Sequence, residues 1–579
     1  QRSKWGGFAA KYLKFGEKNA AKYADEIIVL SHAVQDYFKS EYGRETVYIP
    51  NGIEKPTVTD SSVIEKKYGL HKNEYILYLG RIVPEKGIHY LIDAYLQSDI
   101  KMPLVIAGGS SHSQEYFDML REKAAGKSIV FTDFVEGEAL QSLYSNAYIY
   151  VLPSDLEGMP ISLLEAMRKA IWKAMKQANP RAAWVVQAWG ANPRPQMIRN
   201  LPAGDMVVLD LFSESRPQWG DPASSWYRKE GFGQHDWLFC MLLNYGGNVG
   251  LHGKMAHLIE EFYKAKDSSF GKTLKGVGMT MEGIENNPVM YELLCELPWR
   301  EQRFSKDEWL EGYLKARYGK SDSQVSQAWM LLSNTIYNCP AASTQQGTHE
   351  SILCARPSWK AYQVSSWSEM SDYYDPADVI RAAGMMVDAA ERFRGNNNFE
   401  YDLVDIVRQA VAEKGRLMYR VLVDAYKAGD RELFKLSSDQ FLRLILMQDR
   451  LLATRSEFKV GRWLESARNL GSTEEEKDWY EWNARVQITT WGNRVAADDG
   501  GLHDYAHREW NGLLRDFYYL RWKTWLDEQL KSFEGGQPKA IDFYALEEPW
   551  TLKHNSYASE AEGNPVDIAC EIYREIKLP

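Results

Sequence analysis

The chain has no apolar run approaching the roughly 18 residues that would read as a membrane span. It is poor in cysteine, with five in 579 residues. None of these falls in a C-x-x-C or Cys/His spacing, so no structural metal is expected. Cys339 and Cys354 are close enough in sequence to pair in an oxidising compartment, and are equally consistent with buried thiols. An excess of positive charge is also missing. The net charge of −10 argues against nucleic acid as a partner, because phosphate binding needs a basic face. The opening residues, Gln1-Arg2-Ser3-Lys4-Trp5, contain no apolar signal-peptide core. They read as a chain entered partway through, so no compartment is taken from them.

What is present is a globular balance, 45% hydrophobic and 26% charged, in a length that suits two to four domains. Aromatic residues reach 13%, with 20 Trp. Flat apolar side chains suit the C–H faces of pyranose rings, and serve equally as core material. Their distribution is uneven. Residues 1–168 contain a single Trp, Trp5, and no Cys; every other Trp and all five Cys follow. No Pro/Gly/Ser linker separates the two parts, and the join falls inside an apparent helix over 163–176. Domains usually meet in exposed linkers, so this seam reads as two segments of different origin. No internal repeat or low-complexity tract is present.

Upstream of the seam, apolar runs at 75–79, 104–107, 129–131 and 148–152 predict buried strands. Amphipathic stretches at 88–96, 114–124 and 139–145 predict the helices between them. This alternation predicts a parallel α/β sheet with ligands at the carboxyl ends of its strands. After the first run comes Gly80-Arg81-Ile82-Val83-Pro84-Glu85-Lys86-Gly87, a glycine turn with two cations ahead of a helix, which suits an anionic ligand. Later, Glu157-Gly158-Met159-Pro160-Ile161-Ser162-Leu163-Leu164-Glu165 sets one carboxylate before a helix and a second about one turn inside it. With Ile49-Pro50-Asn51-Gly52 and Ala107-Gly108-Gly109, these motifs resemble the nucleotide-sugar-binding half of family 4 retaining glycosyltransferases of GT-B fold. That resemblance implies a nucleotide sugar as ligand, with Arg81 and Lys86 on its diphosphate, Glu157 on the donor sugar and Glu165 on the ribose. The acceptor-binding half of that family is lacking, and the pattern stops after Glu165-Ala166-Met167.

Downstream, strands are predicted at 183–189, 206–212, 237–243 and 276–281, with helices at 254–264 and 289–297. Beyond about residue 300 the strand signal disappears. The stretch 401–428 places Leu403, Val407, Ala410 and Met418 near one helical face, with Asp402, Glu413 and Lys414 elsewhere. Ser472-Thr473-Glu474-Glu475-Glu476 opens another helix with capping-box chemistry. The expected architecture is therefore α/β plus all-α: a Rossmann-like fragment over 1–168, the second half of a (β/α)8 barrel over 169–300, and an α-helical domain over 301–579.

Gly276-Val277-Gly278-Met279-Thr280-Met281-Glu282-Gly283 sets a carboxylate at the carboxyl end of a strand, the end that carries the active site of a βα barrel. Asp210-Leu211-Phe212-Ser213-Glu214-Ser215, Trp237-Leu238-Phe239-Cys240-Met241 and Asn244-Tyr245-Gly246-Gly247-Asn248 end neighbouring strands. Together with Gln187-Ala188-Trp189 and Glu296-Leu297-Pro298-Trp299, this run resembles glycoside hydrolase family 89, the α-N-acetylglucosaminidases. The resemblance spans 169–579. It implies release of terminal α-linked N-acetylglucosamine with retention of configuration, with Glu282 as nucleophile. It also implies that Trp189, Trp491 of Thr490-Trp491-Gly492 and Tyr505 of Asp504-Tyr505-Ala506 line the substrate pocket; core packing is the alternative for each aromatic.

Retaining chemistry uses two carboxyl groups about 5–5.5 Å apart. In this family the acid/base belongs to an Asn-Glu motif on an earlier strand, whose place here is taken by glycosyltransferase-like sequence. Asn73-Glu74 is the only Asn-Glu pair and precedes a strand instead of ending one; Glu214 and Glu285 are spare carboxylates with nothing to support either as a substitute. Four strands stand where eight close a barrel. Carboxylates suffice for glycoside cleavage, so neither a metal nor a redox cofactor is expected. Glycosyl transfer by the first segment, and a non-catalytic carbohydrate-binding fusion, are the alternative functions. The hydrolase family points to an exported or periplasmic setting and the transferase family to the cytoplasm.

Overall fold

The computed structural model describes residues 7–29, 32–48, 60–109, 114–154, 172, 174–194, 198, 201–283, 285–340, 350–365 and 373–578. The chain forms two compact units. One comprises Gln1–Val186, Ala191–Val207 and Gly233–His235; the other comprises Gln187–Gly190, Val208–Phe232 and Asp236–Pro579.

In the first unit, β1 (Ile28–Val29) pairs in parallel with β2 (Val47–Tyr48). A second sheet joins β3 (Ile76–Leu79), β4 (Leu104–Ala107), β5 (Ile129–Asp133) and β6 (Ile149–Tyr150) in the order β5-β4-β3-β6, with every pairing parallel. Crossover helices cover both faces of such a sheet, so its inner strands carry unbroken apolar runs. Leu104–Ala107 is accordingly buried throughout. Leu77 and Val105 pack into one cluster with Ile64 and Leu143, while Ile76, Tyr78 and Ile106 pack into another with Ile88 and Ile92. The helices Ile88–Leu96, Gln114–Lys123 and Gly137–Asn146 lie where periodicity predicts them. At the carboxyl ends of β3 and β4 two turns come into backbone contact. A Cβ on Gly108, which has φ +140°, would lie 1.9 Å from the Gly80 carbonyl oxygen, so only glycine fits.

A further sheet holds β7 (Trp184–Ala188), β8 (Met206–Asp210), β9 (Asp236–Met241) and β10 (Leu274–Met279) in the order β10-β9-β8-β7. β10 lies parallel to β9. No other strand among the described residues joins it. β8 stops two residues short of the predicted end because the Asp210 carboxylate accepts the Gln218 and Trp219 N–H groups, at 2.8 and 3.0 Å, and turns the chain. β10 runs from Leu274 to Met279, leaving Glu282 three residues beyond it. The helices Met255–Asp267 and Pro288–Glu296 follow β9 and β10.

From Lys306 onward the second unit is helical. Its centre is the helix Asn397–Ala428, which corrects the amphipathic reading of this segment. Asp402 and Glu413 are as deeply buried as Leu403 and Val407. Each buried acid has partners: Asp402 accepts from Arg317 and Tyr318, and Glu413 from Tyr374 and Gln409. Sequence periodicity misplaces them because the middle turns of this helix are enclosed all round and have no water-facing side on which to segregate charge, unlike its exposed last turns. The capping box forms at Thr473, whose hydroxyl accepts from the Glu476 N–H while the Glu476 carboxylate returns to the Thr473 N–H. No disulfide joins Cys339 to Cys354; both are buried thiols.

Buried guanidinium groups tie the helices to the loops. Arg408 donates to Asp405, Glu509 and the Val249 carbonyl. Arg521 donates to both oxygens of Asp504 at 2.9 and 3.0 Å and to the Cys354 carbonyl, and lies 2.7 Å from Glu547. Burial raises the Asp504 pKa, but the Arg521 charge, the His503 hydrogen bond and charge, and the Arg356 charge together outweigh it and hold the group down at about 2. Arg521→Met leaves buried Asp504 with only His503 and buried Glu547 with only Arg356, so chemical denaturation should find it less stable by about 3 kcal/mol. Because the folded pKa is depressed, this stabilisation is complete above about pH 4 and is lost as pH falls toward 2. Acid titration of the variant should lack that part of the transition.

Candidate active site

Glu282 sits on the loop after β10, and its place is set by contacts from distant parts of the chain. The Thr280 hydroxyl donates to the Leu211 and Met241 carbonyls at 2.8 and 3.1 Å, pinning this loop to the one after β8 and to the end of β9. Glu282 Oε2 accepts the Gly246 N–H at 2.6 Å and the Tyr505 hydroxyl at 2.8 Å. Gly246 has φ +60°, and a Cβ there would lie 2.0 Å from the Tyr505 carbonyl oxygen, so the loop after β9 meets the helical part backbone to backbone. Arg508, buried at the cavity wall, closes the arrangement by donating to the carbonyls of Gly246, Ala506 and His507 at 2.5, 2.8 and 3.1 Å. Its burial lowers its pKa to about 10.

A cavity of about 1000 Å³ opens over this carboxylate. Trp189, Trp491 and Tyr505 all line it, so the three aromatics named from the sequence are brought together with Glu282. The Trp491 and Tyr505 rings are 5.0 Å apart at 64°. Across from them Trp189 meets Trp226 at 4.7 Å and 72°, and the Arg216 guanidinium lies 5.5 Å from the Trp226 ring. Trp491 has φ +62°, a strained conformation for a bulky residue that persists only where the surroundings impose it. Its N–H donates to the Val486 carbonyl at 2.7 Å.

The other carboxylates divide sharply. Glu285 lines the cavity but lies 3.1 Å from Arg462, and burial raises its pKa. Glu214 is shut in behind the loop after β9, where Oε1 accepts the Leu242 and Leu243 N–H groups at 3.0 and 2.8 Å. Burial pushes the Glu214 carboxyl up to about 8 and that of Asp210 to about 7, against hydrogen bonds that lower both. In the first unit, Arg81 is exposed just after β3, and Lys86 closes the short 3-10 turn Pro84–Lys86. Glu157 and Glu165 lie outside the described residues, as do Ile49-Pro50-Asn51-Gly52 and the seam after Met167.

Residues 132–301 match the Alpha-N-acetylglucosaminidase (NAGLU) tim-barrel domain, and residues 309–575 match the C-terminal domain of the same family. This larger part of the chain belongs to the α-N-acetylglucosaminidases. Human α-N-acetylglucosaminidase is 32% identical over 428 residues, which are 71% of this chain and 55% of that protein. A family 89 glycoside hydrolase from Clostridium perfringens, solved in complex with its substrate GlcNAc-α-1,4-galactose and carrying two Glu→Gln changes, superposes with a TM-score of 0.66. It is 30% identical, over 80% of this chain and 50% of that one. The chain thus spans about half the length of the α-N-acetylglucosaminidases it matches. Residues 60–173 match Glycosyl transferases group 1, overlapping the start of the barrel match, and residues 1–54 match a domain of unknown function. For this segment, the α-D-kanosaminyltransferase of Streptomyces kanamyceticus is 26% identical over 165 residues, 27% of this chain and 43% of that protein. The chain is a fusion of glycosyltransferase-like and α-N-acetylglucosaminidase-like sequence.

Within the α-N-acetylglucosaminidase part, Trp226, Arg216, Trp463, Trp510 and Arg508 line the cavity but were not singled out from the sequence. Tyr245 and Gly246 fell inside a motif at the rim, the only local signal for any of these. The buried Glu214 carboxyl yields a pH test. Its folded pKa lies above the ordinary 4.5, so the folded chain holds a proton that the unfolded chain releases, and stability falls as pH rises from about 5 to 8. Glu214→Gln supplies a neutral isostere. Denaturation midpoints measured across that range should fall less steeply in the variant.

Proposed function

We propose that residues 169–579 act on glycans ending in α-linked N-acetylglucosamine by retaining chemistry, with Glu282 as nucleophile. The observation that carries this reading is the carboxylate held by the Gly246 N–H and the Tyr505 hydroxyl on the floor of an aromatic cavity. Two fixed donors on one oxygen aim the carboxylate and leave Oε1 for attack on an anomeric carbon. Trp189, Trp491 and Tyr505 give the ring its apolar faces. Support also comes from the Clostridium perfringens enzyme, whose substrate carries GlcNAc in α linkage.

The second carboxyl group required by this mechanism is missing from the reading. Of the two acidic side chains that line the cavity, Glu285 is paired with Arg462, and nothing assigns it the acid/base role. Without a proton donor, a poor leaving group stays attached, whereas a strongly activated one departs unaided. The test is incubation with 2,4-dinitrophenyl α-N-acetylglucosaminide, followed by mass analysis of the peptide containing Glu282. A glycosyl ester on Glu282 should accumulate, be absent in Glu282→Gln, and be released by azide as the α-glycosyl azide. Labelling elsewhere, a β-azide, or rapid cleavage of the unactivated disaccharide would each defeat the reading.

A second reading concerns the first unit, where the close approach of the Gly80 and Gly108 turns, with Arg81 and Lys86 beside them, suits a diphosphate. Under it, a nucleotide sugar binds to Arg81, Lys86, Glu157 and Glu165. Calorimetry should detect UDP- or GDP-sugar binding that is lost in Arg81→Ala; heat unchanged by the substitution would remove this reading.

A further inference from the structure

A second concave site lies among the described residues, far along the sequence from Glu282. It has a volume of about 510 Å³ and is formed by the first turns of the helix Glu474–Gln487 and the end of the helix Phe543–Thr551. Trp479, Tyr480, Trp482 and Leu552 supply its apolar surface, and Asp478 and His554 its polar edge. Trp479 and Trp482, three residues apart, fall on the same side of the helix, and their rings lie 4.9 Å apart at 38°. Trp479 is 63% exposed and Leu552 60%. Single exposed apolar residues need no explanation, but several lining one cleft mark a binding surface.

The charge around the cleft narrows what it takes. Glu475, Glu476 and Asp478 line it. No Lys or Arg lines it: Arg468 binds Asp478 and Glu481, each at 2.8 Å, Lys477 binds Glu474 at 2.8 Å, and Lys553 is exposed beside the cleft. Asp478, Glu481 and His554 bring their ligand atoms within 4.8 Å of one another, but Arg468 binds both acids and Arg485 also binds Glu481, so the cluster is not read as a cation site. What remains is aromatic and acidic.

We propose that this cleft is a second glycan-binding site that takes a short uncharged oligosaccharide. Indole faces carry negative quadrupole density and attract the C–H hydrogens of a pyranose ring. Carboxylates accept hydrogen bonds from sugar hydroxyls, and imidazole serves in either sense. The acidic lining repels sulfated and uronic sugars. The volume falls in the range of about 300–1,000 Å³ typical of small-ligand sites, whereas a stable protein interface needs a face of about 800 Å² on each partner. Such a site would keep a polymeric glycan on the enzyme between encounters at the cavity, raising its effective concentration. The inference does not rest on any role for Glu282.

The test is calorimetric titration of the full-length Glu282→Gln chain with a neutral tetrasaccharide of alternating galactose and N-acetylglucosamine, and with its sulfated counterpart. Trp479→Ala should weaken binding of the neutral sugar about tenfold, Trp479→Phe should keep most of it, and Trp491→Ala should leave it unchanged. Circular dichroism of Trp479→Ala should match the parent, because the side chain is largely outside the core. Absence of neutral-sugar binding, binding indifferent to Trp479→Ala, or tighter binding of the sulfated sugar would overturn the proposal. So would Trp479-dependent binding of a lysine-rich peptide in place of sugar, which would make the cleft a protein-docking surface.

Discussion

The geometry of the cavity depends on one buried cation. Arg508 gathers the carbonyls of Gly246, Ala506 and His507, which lie on two loops about 260 residues apart in sequence. Gly246 is thereby held on both sides, its carbonyl by Arg508 and its N–H, in the preceding peptide unit, by Glu282. The Ala506 and His507 carbonyls hold the turn that presents Tyr505, the second donor to the same oxygen. A single guanidinium thereby braces the two segments whose groups donate to the carboxylate. Preorganisation of this kind places the cost of ordering the site in folding, not in ligand binding.

The same device recurs deeper in the helical part. Arg408 connects the central helix to the Val249 carbonyl and to Glu509, next to Arg508. Arg521 grips Asp504, the residue before Tyr505. Buried ion pairs add little net stability over well-packed apolar groups, and their attested use is to specify one arrangement among several. Here the arrangement specified is the register of the 504–509 segment, from which Tyr505, Ala506 and Arg508 line the cavity. Asp504 itself has φ +58°, so the ion pair also holds a backbone conformation that an isolated chain would avoid.

The four-stranded sheet stands in contrast. Eight strands close a barrel and remove its edges, whereas β7 and β10 stand at the edges of this sheet. Val185 on β7 and Met279 on β10 are more than half exposed, an unusual state for apolar side chains on barrel-type strands. The loops at the carboxyl ends are nevertheless well determined, because they are held by the helical part and not by barrel closure. The cavity thus has its aromatic walls and Glu282 beside a sheet of four strands among the described residues.

Local pattern carried much of this organisation. Unbroken apolar runs marked β3 and β4 to the residue or nearly so, since a strand covered on both faces must be apolar along its whole length. Capping chemistry marked the start of the helix at Glu474, and the change in Trp and Cys content marked two segments of different origin. Glu282, Trp189, Trp491 and Tyr505 were legible because each sits in a short motif that resembles a known family. The sequence by itself therefore determined most of the elements, the two kinds of segment and four of the residues that meet at the cavity. Only the tertiary structure decided how they are held: the Arg508 hub, the Trp226 and Arg216 wall, and the burial of Asp402, Glu413 and Glu214. Those features arise from contacts such as that between Tyr505 and Glu282, 223 residues apart, and no local periodicity encodes a contact at that separation.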